Sequence, residues 1–232
     1  AKHGHSLKDR LIAHLPAYAA LASRVPWLMN LRDALPGAAW LSEKWLGLSA
    51  QRTLPRWRSD TFWRSSDQWL FASAAQTLRD AAAGKKTAVL FVDTFNGTFE
   101  TENAVAAADV LSAAGYTLHS VGKAGGHHCC GRTYLASGMV DEAKARVSAL
   151  IDALLPFAQA GIAIVGLEPS CLLTLRDEAL VMGLGERAEI VAGQALLFEE
   201  FVAREAQAGR FDIKLKPAGA PILLHGHCHQ KA

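Results

Sequence analysis

Between Thr87 and Ala208 the apolar residues alternate between two patterns, short continuous runs and longer stretches spaced at helical intervals. Thr87 to Asp93 is a brief run rich in strand formers, Thr101 to Ala114 is a helical stretch stopped at Gly115, and Tyr116 to Val121 reads as a second strand. A loop from Gly122 to Gly131 follows, then a long amphipathic helix from Asp141 to Ala160, with Gly161 as its stop. Ile162 to Leu167 reads as a third buried strand. Pro169 opens a helix through about Val181, because its fixed φ and missing N–H suit a first helical turn. Further helical patterns cover roughly Glu186 to Ala208, and Pro221 to Leu224 reads as a fourth strand. Strands alternating with helices of this length predict an α/β fold: a Rossmann-like parallel sheet with flanking helices and right-handed crossovers.

The first 80 residues break this pattern. All six tryptophans lie here (Trp27, Trp40, Trp45, Trp57, Trp63 and Trp69), with prolines at Pro16, Pro26, Pro36 and Pro55. Leu7, Leu11, Leu15 and Tyr18 keep a helical spacing behind Ser6 as N-cap, so short helices separated by prolines are expected, then a poorly periodic stretch from Gln51 to Ser66. The tryptophans read as packing anchors in an irregular helical segment that a partner domain covers.

Composition narrows the function classes. Of 232 residues half are apolar, and 24 basic against 22 acidic residues leave a net charge of +2, without the basic footprint of a nucleic-acid binder. No apolar run approaches the roughly 20 residues of a membrane span, and no signal peptide is visible. The expected compartment is the cytoplasm, with peripheral association at a membrane compatible with it. The chain starts at Ala1 without a Met and stops at Ala232 inside a Cys/His-rich stretch, so it reads as part of a longer polypeptide.

Parallel sheets gather their chemistry beyond the carboxyl ends of the strands. The first predicted strand ends at Asp93-Thr94-Phe95-Asn96, and the second runs into Gly125-Gly126-His127-His128-Cys129-Cys130-Gly131. The third ends at Glu168-Pro169-Ser170-Cys171, and the fourth at His225-Gly226-His227-Cys228-His229. All four cysteines and five of the nine histidines therefore follow a predicted strand. In an ordinary globular composition such cysteines point to metal or redox chemistry rather than a disulfide framework. The candidate metal ligands are Cys129, Cys130, Cys171 and Cys228, supplemented by His128, His225, His227 and His229. Thiolates select zinc or iron–sulfur clusters, and imidazoles widen the choice to zinc or mononuclear iron. Taken singly, Cys171 reads equally as a small buried hydrophobe. Its place behind Pro169, near a helix's positive end, predicts a lowered thiol pKa. Glu168 reads as a general base, a partner behind a metal ligand, or a helix cap. His3, His5 and His14 read as surface residues and His119 as a structural strand residue. No catalytic residue and no residue binding an organic cofactor is assigned, although a histidine here could accept the hydroxyl proton of a substrate. Gly-x-Ser-x-Gly, Walker A and Gly-x-Gly-x-x-Gly motifs are missing, which argues against a hydrolase or nucleotide-binding enzyme.

Cys129-Cys130-Gly131 resembles the signature of the cysteine-rich CCG domain found in the B-type subunit of heterodisulfide reductase, the glycolate oxidase iron–sulfur subunit and lactate-utilisation proteins. The domain also closes FAD-linked D-2-hydroxyacid dehydrogenases. In that pattern a Cys follows the first strand, Cys-Cys-Gly follows the second, and Cys-x-x-Cys opens a later helix. A second copy commonly begins with a Cys-His pair, which Cys228-His229 resembles. The likeness covers about residues 87–232, and Lys2 to about Trp69 is more loosely similar to the linker behind the ferredoxin-like cysteines of the fused enzymes. This chain departs from the pattern at two positions, with Thr94 for the first Cys and Thr174 for the second Cys of Cys-x-x-Cys.

The resemblance implies a helical arm over 1–80, a first CCG-type domain over 81–220, and the start of a second repeat over 221–232. It implies a 4Fe-4S-type iron–sulfur cluster or a Cys/His-bound zinc or iron in this region. FAD and the ferredoxin-like domain belong to the rest of the parent chain as partners. The implied function is electron transfer within a flavoprotein oxidoreductase acting on a small 2-hydroxy acid of the D-lactate, glycolate or D-2-hydroxyglutarate type. The alternative is a non-catalytic, zinc-stabilised docking domain of the same assembly.

Overall fold

The computed structural model describes residues 4–64, 71–122, 127–214, 216, 219–221, 223 and 225–231, with backbone alone at His229 and Lys231. Four strands, β1 (Thr87–Phe91), β2 (Thr117–His119), β3 (Ala163–Gly166) and β4 (Ala195–Leu197), form one parallel sheet in the order β2-β1-β3-β4. Val89 pairs with His119 on one side and Ile164 on the other. The predicted α/β sheet is present, and the first three strands lie where the apolar runs placed them.

Beyond Thr87, β1 is apolar, and so are β3 and β4, because helices cover both faces of the sheet. Val89, Phe91 and Ile164 meet Val147, Leu150, Ile151 and Leu154 of the Val140–Gln159 helix. The alternate residues Ala88, Leu90, Val92 and Val165 pack instead with Ala104, Ala108 and Leu111 of the Thr101–Ala113 helix, and with Phe201. This is the two-residue alternation of a pleated strand filling a core on each side.

The fourth strand is not the predicted one. Ala195–Leu197 is a strand inside the expected helical stretch 186–208, which splits into helices Glu186–Gln194 and Phe198–Gln207. An Ala-Leu-Leu triplet is a good helix former, and pairing with Ile164–Gly166 overrides that preference. Pro221 and Leu223 lie outside any strand, while Ile222 and Leu224 fall outside the described residues. Leu223 is 97% exposed.

The arm begins as predicted. Ser6 caps helix Leu7–Ala13 through a reciprocal box: Asp9 N donates to Ser6 Oγ, and Ser6 N donates to the Asp9 carboxylate, both at 3.1 Å. Helix Leu15–Ala22 restarts behind His14 with Pro16 in its first turn. Short helices Pro26–Met29, Leu31–Ala34 and Ala38–Leu46 follow, then irregular backbone. The tryptophans divide. Trp57 is buried between Tyr18 and Phe99, and Trp63 lies against Gly97, where a Cβ would come within 2.7 Å of its ring. Trp27, Trp40 and Trp45 are exposed rather than anchoring, and Trp69 lies outside the described residues. Thr133 Oγ1 donates to Ala13 O at 2.9 Å, fastening arm to body.

Successive strands leave β1 in opposite directions, to β2 on one side and β3 on the other. The crevice beyond the carboxyl ends of β1 and β3 is therefore the switch point at which such sheets place a ligand.

Candidate metal centre

Three segments converge at this edge. Behind β1, Asp93 caps the short Thr94–Thr98 helix, its carboxylate accepting from Phe95 N at 2.8 Å, Asn96 N at 3.2 Å and Asn96 Nδ2 at 2.6 Å. Burial pushes the Asp93 carboxyl up from its ordinary pKa, against the pull of these donors.

Behind β2, the chain returns through His127-His128-Cys129-Cys130-Gly131. Gly131 has φ +77°, and a Cβ there would stand 2.8 Å from Ala143 O of the Val140–Gln159 helix. The glycine is required both by the left-handed backbone and by this close approach. Its N–H donates to Cys129 Sγ at 3.3 Å.

Behind β3, Glu168 caps the Pro169–Arg176 helix, accepting from Ser170 N at 3.3 Å and Ser170 Oγ at 2.7 Å. Capping is thus the role of Glu168 that the geometry displays. Gly166 lets the helix fold tightly over the strand end, since a Cβ there would lie 2.7 Å from Leu172 Cδ1. That fold carries Cys171 inward.

The result is a row of three buried thiols, with Cys130 in hydrogen-bonding reach of both Cys129 and Cys171. The hydrogen bond to Cys130 and then burial push the Cys129 thiol well up. For Cys130 the bond to Cys129 pulls down, but the bond to Cys171 and complete burial prevail, and the thiol is raised. The lowered pKa expected of Cys171 is reversed. Its bond to Cys130 favours the thiolate, but burial and the charges of Asp93, Cys129 and Glu168 outweigh it. Proximity to a helix start does not offset two carboxylates and loss of solvent.

A histidine outside the candidate set also lies at this edge. His127 Nε2 stands 3.3 Å from Thr94 Oγ1, and its ring lies 5.7 Å from that of Trp63. Thr94 is in turn within hydrogen-bonding reach of Cys129. His127, which is not among the candidates, therefore stands beside Thr94, next to the half-buried candidate His128. Adjacent residues of an extended loop point to different sides, and no spacing rule chooses between them. His119 is structural as expected, its Nδ1 donating to Ala72 O at 2.9 Å and its ring stacking on Phe157.

The histidine-rich tail reaches this edge through His227. Cys228–Lys231 is a short helix packed on Pro169–Arg176, His227 Nε2 is 3.9 Å from Glu168 Oε1, and Gln230 Nε2 donates to Glu199. Cys228 and His225 are exposed, and the side chain of His229 lies outside the described residues. The structure thus brings Cys129, Cys130 and Cys171 together and leaves Cys228 at the surface. Beside them a cavity of about 410 Å³ opens between Phe95, Asn96, Leu167, Glu168, Phe198 and Glu199.

The donor set can be tested against the expected groups. Thr174 turns its hydroxyl to Ser170 O at 2.8 Å, within its own helix, and Thr94 offers a hydroxyl where a thiol is expected. Among the described residues no group of three or more His, Cys, Asp or Glu side chains is arranged to hold an ion, the three thiols being bonded to one another. The three neighbouring thiols are soft donors. They fall short of the four thiolates that usually hold a cluster.

Comparison with known proteins places the chain in distant company. It is 24% identical over 237 residues to the C-type subunit of the anaerobic glycerol-3-phosphate dehydrogenase of Escherichia coli strain K12, and equally to that of Escherichia coli O157:H7. Each alignment covers 97% of this chain and 54% of the relative, so the chain spans about half the length of the curated relatives it matches. No protein-family model matches, and no solved structure does.

Proposed function

We propose that this chain is the thiol-lined, metal-binding region of an oxidoreductase subunit that relays electrons taken from a CH–OH donor. The observation that carries the reading is the convergence of Cys129 and Cys130, from the loop behind β2, and Cys171, from the helix behind β3, at the carboxyl edge of one sheet. Chance burial of single cysteines does not gather three of them at the place where such folds hold ligands. The similar subunit's name, a glycerol-3-phosphate dehydrogenase, supports a donor in which an alcohol carbon is oxidised. The donor proposed for the parent enzyme is a small 2-hydroxy acid, of the D-lactate, glycolate or D-2-hydroxyglutarate type, oxidised at an FAD-binding domain that a ferredoxin-like domain links to this one.

A redox metal group bound here would accept and release electrons one at a time. The chain's own residues bury the thiols, aim Gly131 N–H at the Cys129 sulfur and close the site with two capped helices. The test is metal and sulfide content with the visible spectrum of anaerobically purified protein, beside the Cys129→Ser/Cys130→Ser variant. Iron in the parent protein, lost in the variant, is the expected result. Absence of metal from both removes the reading.

A second reading is a non-catalytic, zinc-stabilised docking domain, favoured by the exposed Trp27, Trp40 and Trp45 of the arm. Stoichiometric zinc in colourless protein would select it.

A further inference from the structure

We infer that the apolar groove of the arm is the docking site for one acidic amphipathic helix of a partner domain. The groove, about 890 Å³ in volume, is lined by Leu11 and Leu15 of the first two helices, Leu41 and Trp45 of helix Ala38–Leu46, and Phe95 and Phe99 of the body. Its hydroxyl and guanidinium groups are satisfied internally. Tyr18 Oη donates to Leu11 O at 3.2 Å, Thr133 Oγ1 to Ala13 O at 2.9 Å, and Ser42 Oγ to Ala39 O at 2.9 Å, while Arg32 donates to Ser49 O at 2.6 Å. A polar small molecule would bury its donors and acceptors here without partners, at a net cost. Apolar side chains carry no such penalty, so they are what the groove accepts.

Charge defines what surrounds those side chains. Lys8, Arg10, Arg24, Lys44, Arg52 and Arg56 are exposed, and none of them forms an ion pair among the described residues. The arm's acids are mostly engaged: Asp9 by the Ser6 cap, Asp33 by Arg32 and the Leu54 N–H, and Asp60 by Arg58. Four of the free cations adjoin the groove. Lys8 is one helical turn from the lining residues Leu11 and Ile12, Lys44 one turn from Leu41, and Arg52 and Arg56 flank Leu54 and Pro55. An apolar trough with a basic rim complements a helix with apolar anchors at i, i+3, i+4 and i+7 and carboxylates on its flanks. A second copy of this chain would set like charges against like, which disfavours it. A bilayer meets a protein across a broad face, whereas this surface is a trough between separate helices. The inference goes beyond the electron-relay reading and holds for iron, zinc or metal-free protein alike, so the two are tested separately.

The test uses the full chain and three fluorescent peptides of about 18 residues, five helical turns. One carries leucines at the anchor spacing with glutamates on the flanks. The second has lysines in place of the glutamates, and the third scrambles the acidic sequence. Anisotropy should show one acidic peptide bound per chain, at least about 10-fold tighter than the basic or scrambled one, the sum of several modest exposed ion pairs. Added salt should narrow the gap between the acidic and basic peptides. Leu41→Asp should abolish binding. Arg52→Glu/Arg56→Glu should weaken the acidic peptide about 10-fold and strengthen the basic one, and it decides the matter if Leu41→Asp melts differently from the parent. Equal binding of acidic and basic peptides, or binding untouched by both variants, overturns the proposal, as does no binding at all. Sedimentation of the chain with phosphatidylglycerol-containing vesicles in the absence of peptide binding assigns the face to lipid and overturns it too. A dimer that Leu41→Asp disperses, again without peptide binding, assigns the face to a second copy.

Discussion

The arm and the α/β body use apolar residues in opposite ways. In the body, Val89, Leu90, Phe91, Leu150, Ile164 and Leu172 are essentially inaccessible, enclosed by helices on both sides of the sheet. In the arm, among the described residues, the buried clusters are small ones around Ala13, Ala19, Ala22 and Trp57. Among the described residues, eleven of the fifteen exposed large hydrophobic side chains lie between Leu7 and Leu54. A cavity of about 890 Å³ runs along it, walled by Leu15, Met29, Leu41, Trp45, Trp57 and Phe99. Arg32, the charged group of that wall, is taken up by its own loop through Ser42 Oγ at 2.7 Å and Ser49 O at 2.6 Å. The same residue types therefore stabilise one region and leave the other's surface unsatisfied, and burial rather than composition separates them.

The sealed character of the body is probed most directly at Leu150. Its side chain sits wholly buried between the Val140–Gln159 helix and the sheet. Leu150→Ala is expected to lower unfolding stability by about 2–5 kcal/mol, the lost transfer energy plus the cavity left behind. Chemical denaturation reads the change. A loss below about 1 kcal/mol would mean that the body collapses around the gap, contrary to the close packing described.

Acid titration separates the two regions electrostatically. At the amino edge of the sheet, Glu205 accepts from Arg210 Nε at 2.7 Å, Tyr116 Oη at 2.7 Å and Arg204 Nε at 3.1 Å. The Arg210 hydrogen bond, acting against burial and helped by Tyr116, holds the carboxyl at about 2, below its ordinary 4.5. In the arm, a hydrogen bond from Arg58 likewise holds Asp60 at about 2. Glu205 has 5% of its side chain exposed and Asp60 68%. A carboxyl depressed by folding contributes stability above its unfolded pKa and loses it as pH falls through the folded one. For Glu205 that window runs from about 4.5 down to about 2, with a contribution on the order of 2–3 kcal/mol. Glu205→Gln should therefore flatten the stability loss in that interval, while Asp60→Asn should change it by less than about 0.5 kcal/mol because solvent screens the exposed pair. Equal slopes in both variants would erase the distinction.

Much of the body was legible because its apolar periods change with its elements. Thr87 to Asp93 and Ile162 to Leu167 cannot be amphipathic helices at that length, and Gly115 and Gly161 end the helices before and between them. Ala195–Leu197 was not legible, since its identity as a strand comes from pairing with β3 and its local preference is helical. Of the run at Pro221 to Leu224, the described Pro221 and Leu223 lie outside any strand despite a strand-like composition. At the site, loop position alone located Cys129, Cys130 and Cys171, because strand ends are countable from sequence. The contact of His127 with Thr94, the exposure of Cys228 and the upward push on the Cys171 thiol depend on which way a side chain turns and what charges stand behind it. Those are tertiary facts. The tryptophans fall between: their clustering was plain, but the separation of buried Trp57 from exposed Trp27, Trp40 and Trp45 needed the fold.

The smallest effect is expected at Trp45, and it is informative because the residue is so large. A tryptophan enclosed in a core loses about 3–5 kcal/mol on truncation to alanine. Trp45 is 78% exposed at the rim of the arm's cavity, so Trp45→Ala should change unfolding stability by no more than about 0.5 kcal/mol. Solubility should improve, since an exposed indole on an apolar surface favours association. The measurement is a denaturant midpoint at two protein concentrations, for the parent chain and the variant. A concentration-independent midpoint shared by both assigns Trp45 no role in holding the isolated chain together. A destabilisation approaching that of a core tryptophan, present at the lower concentration as well, would show that the arm closes over Trp45 in solution. The contrast between a sealed body and an open arm would then fail at the residue where it is most pronounced.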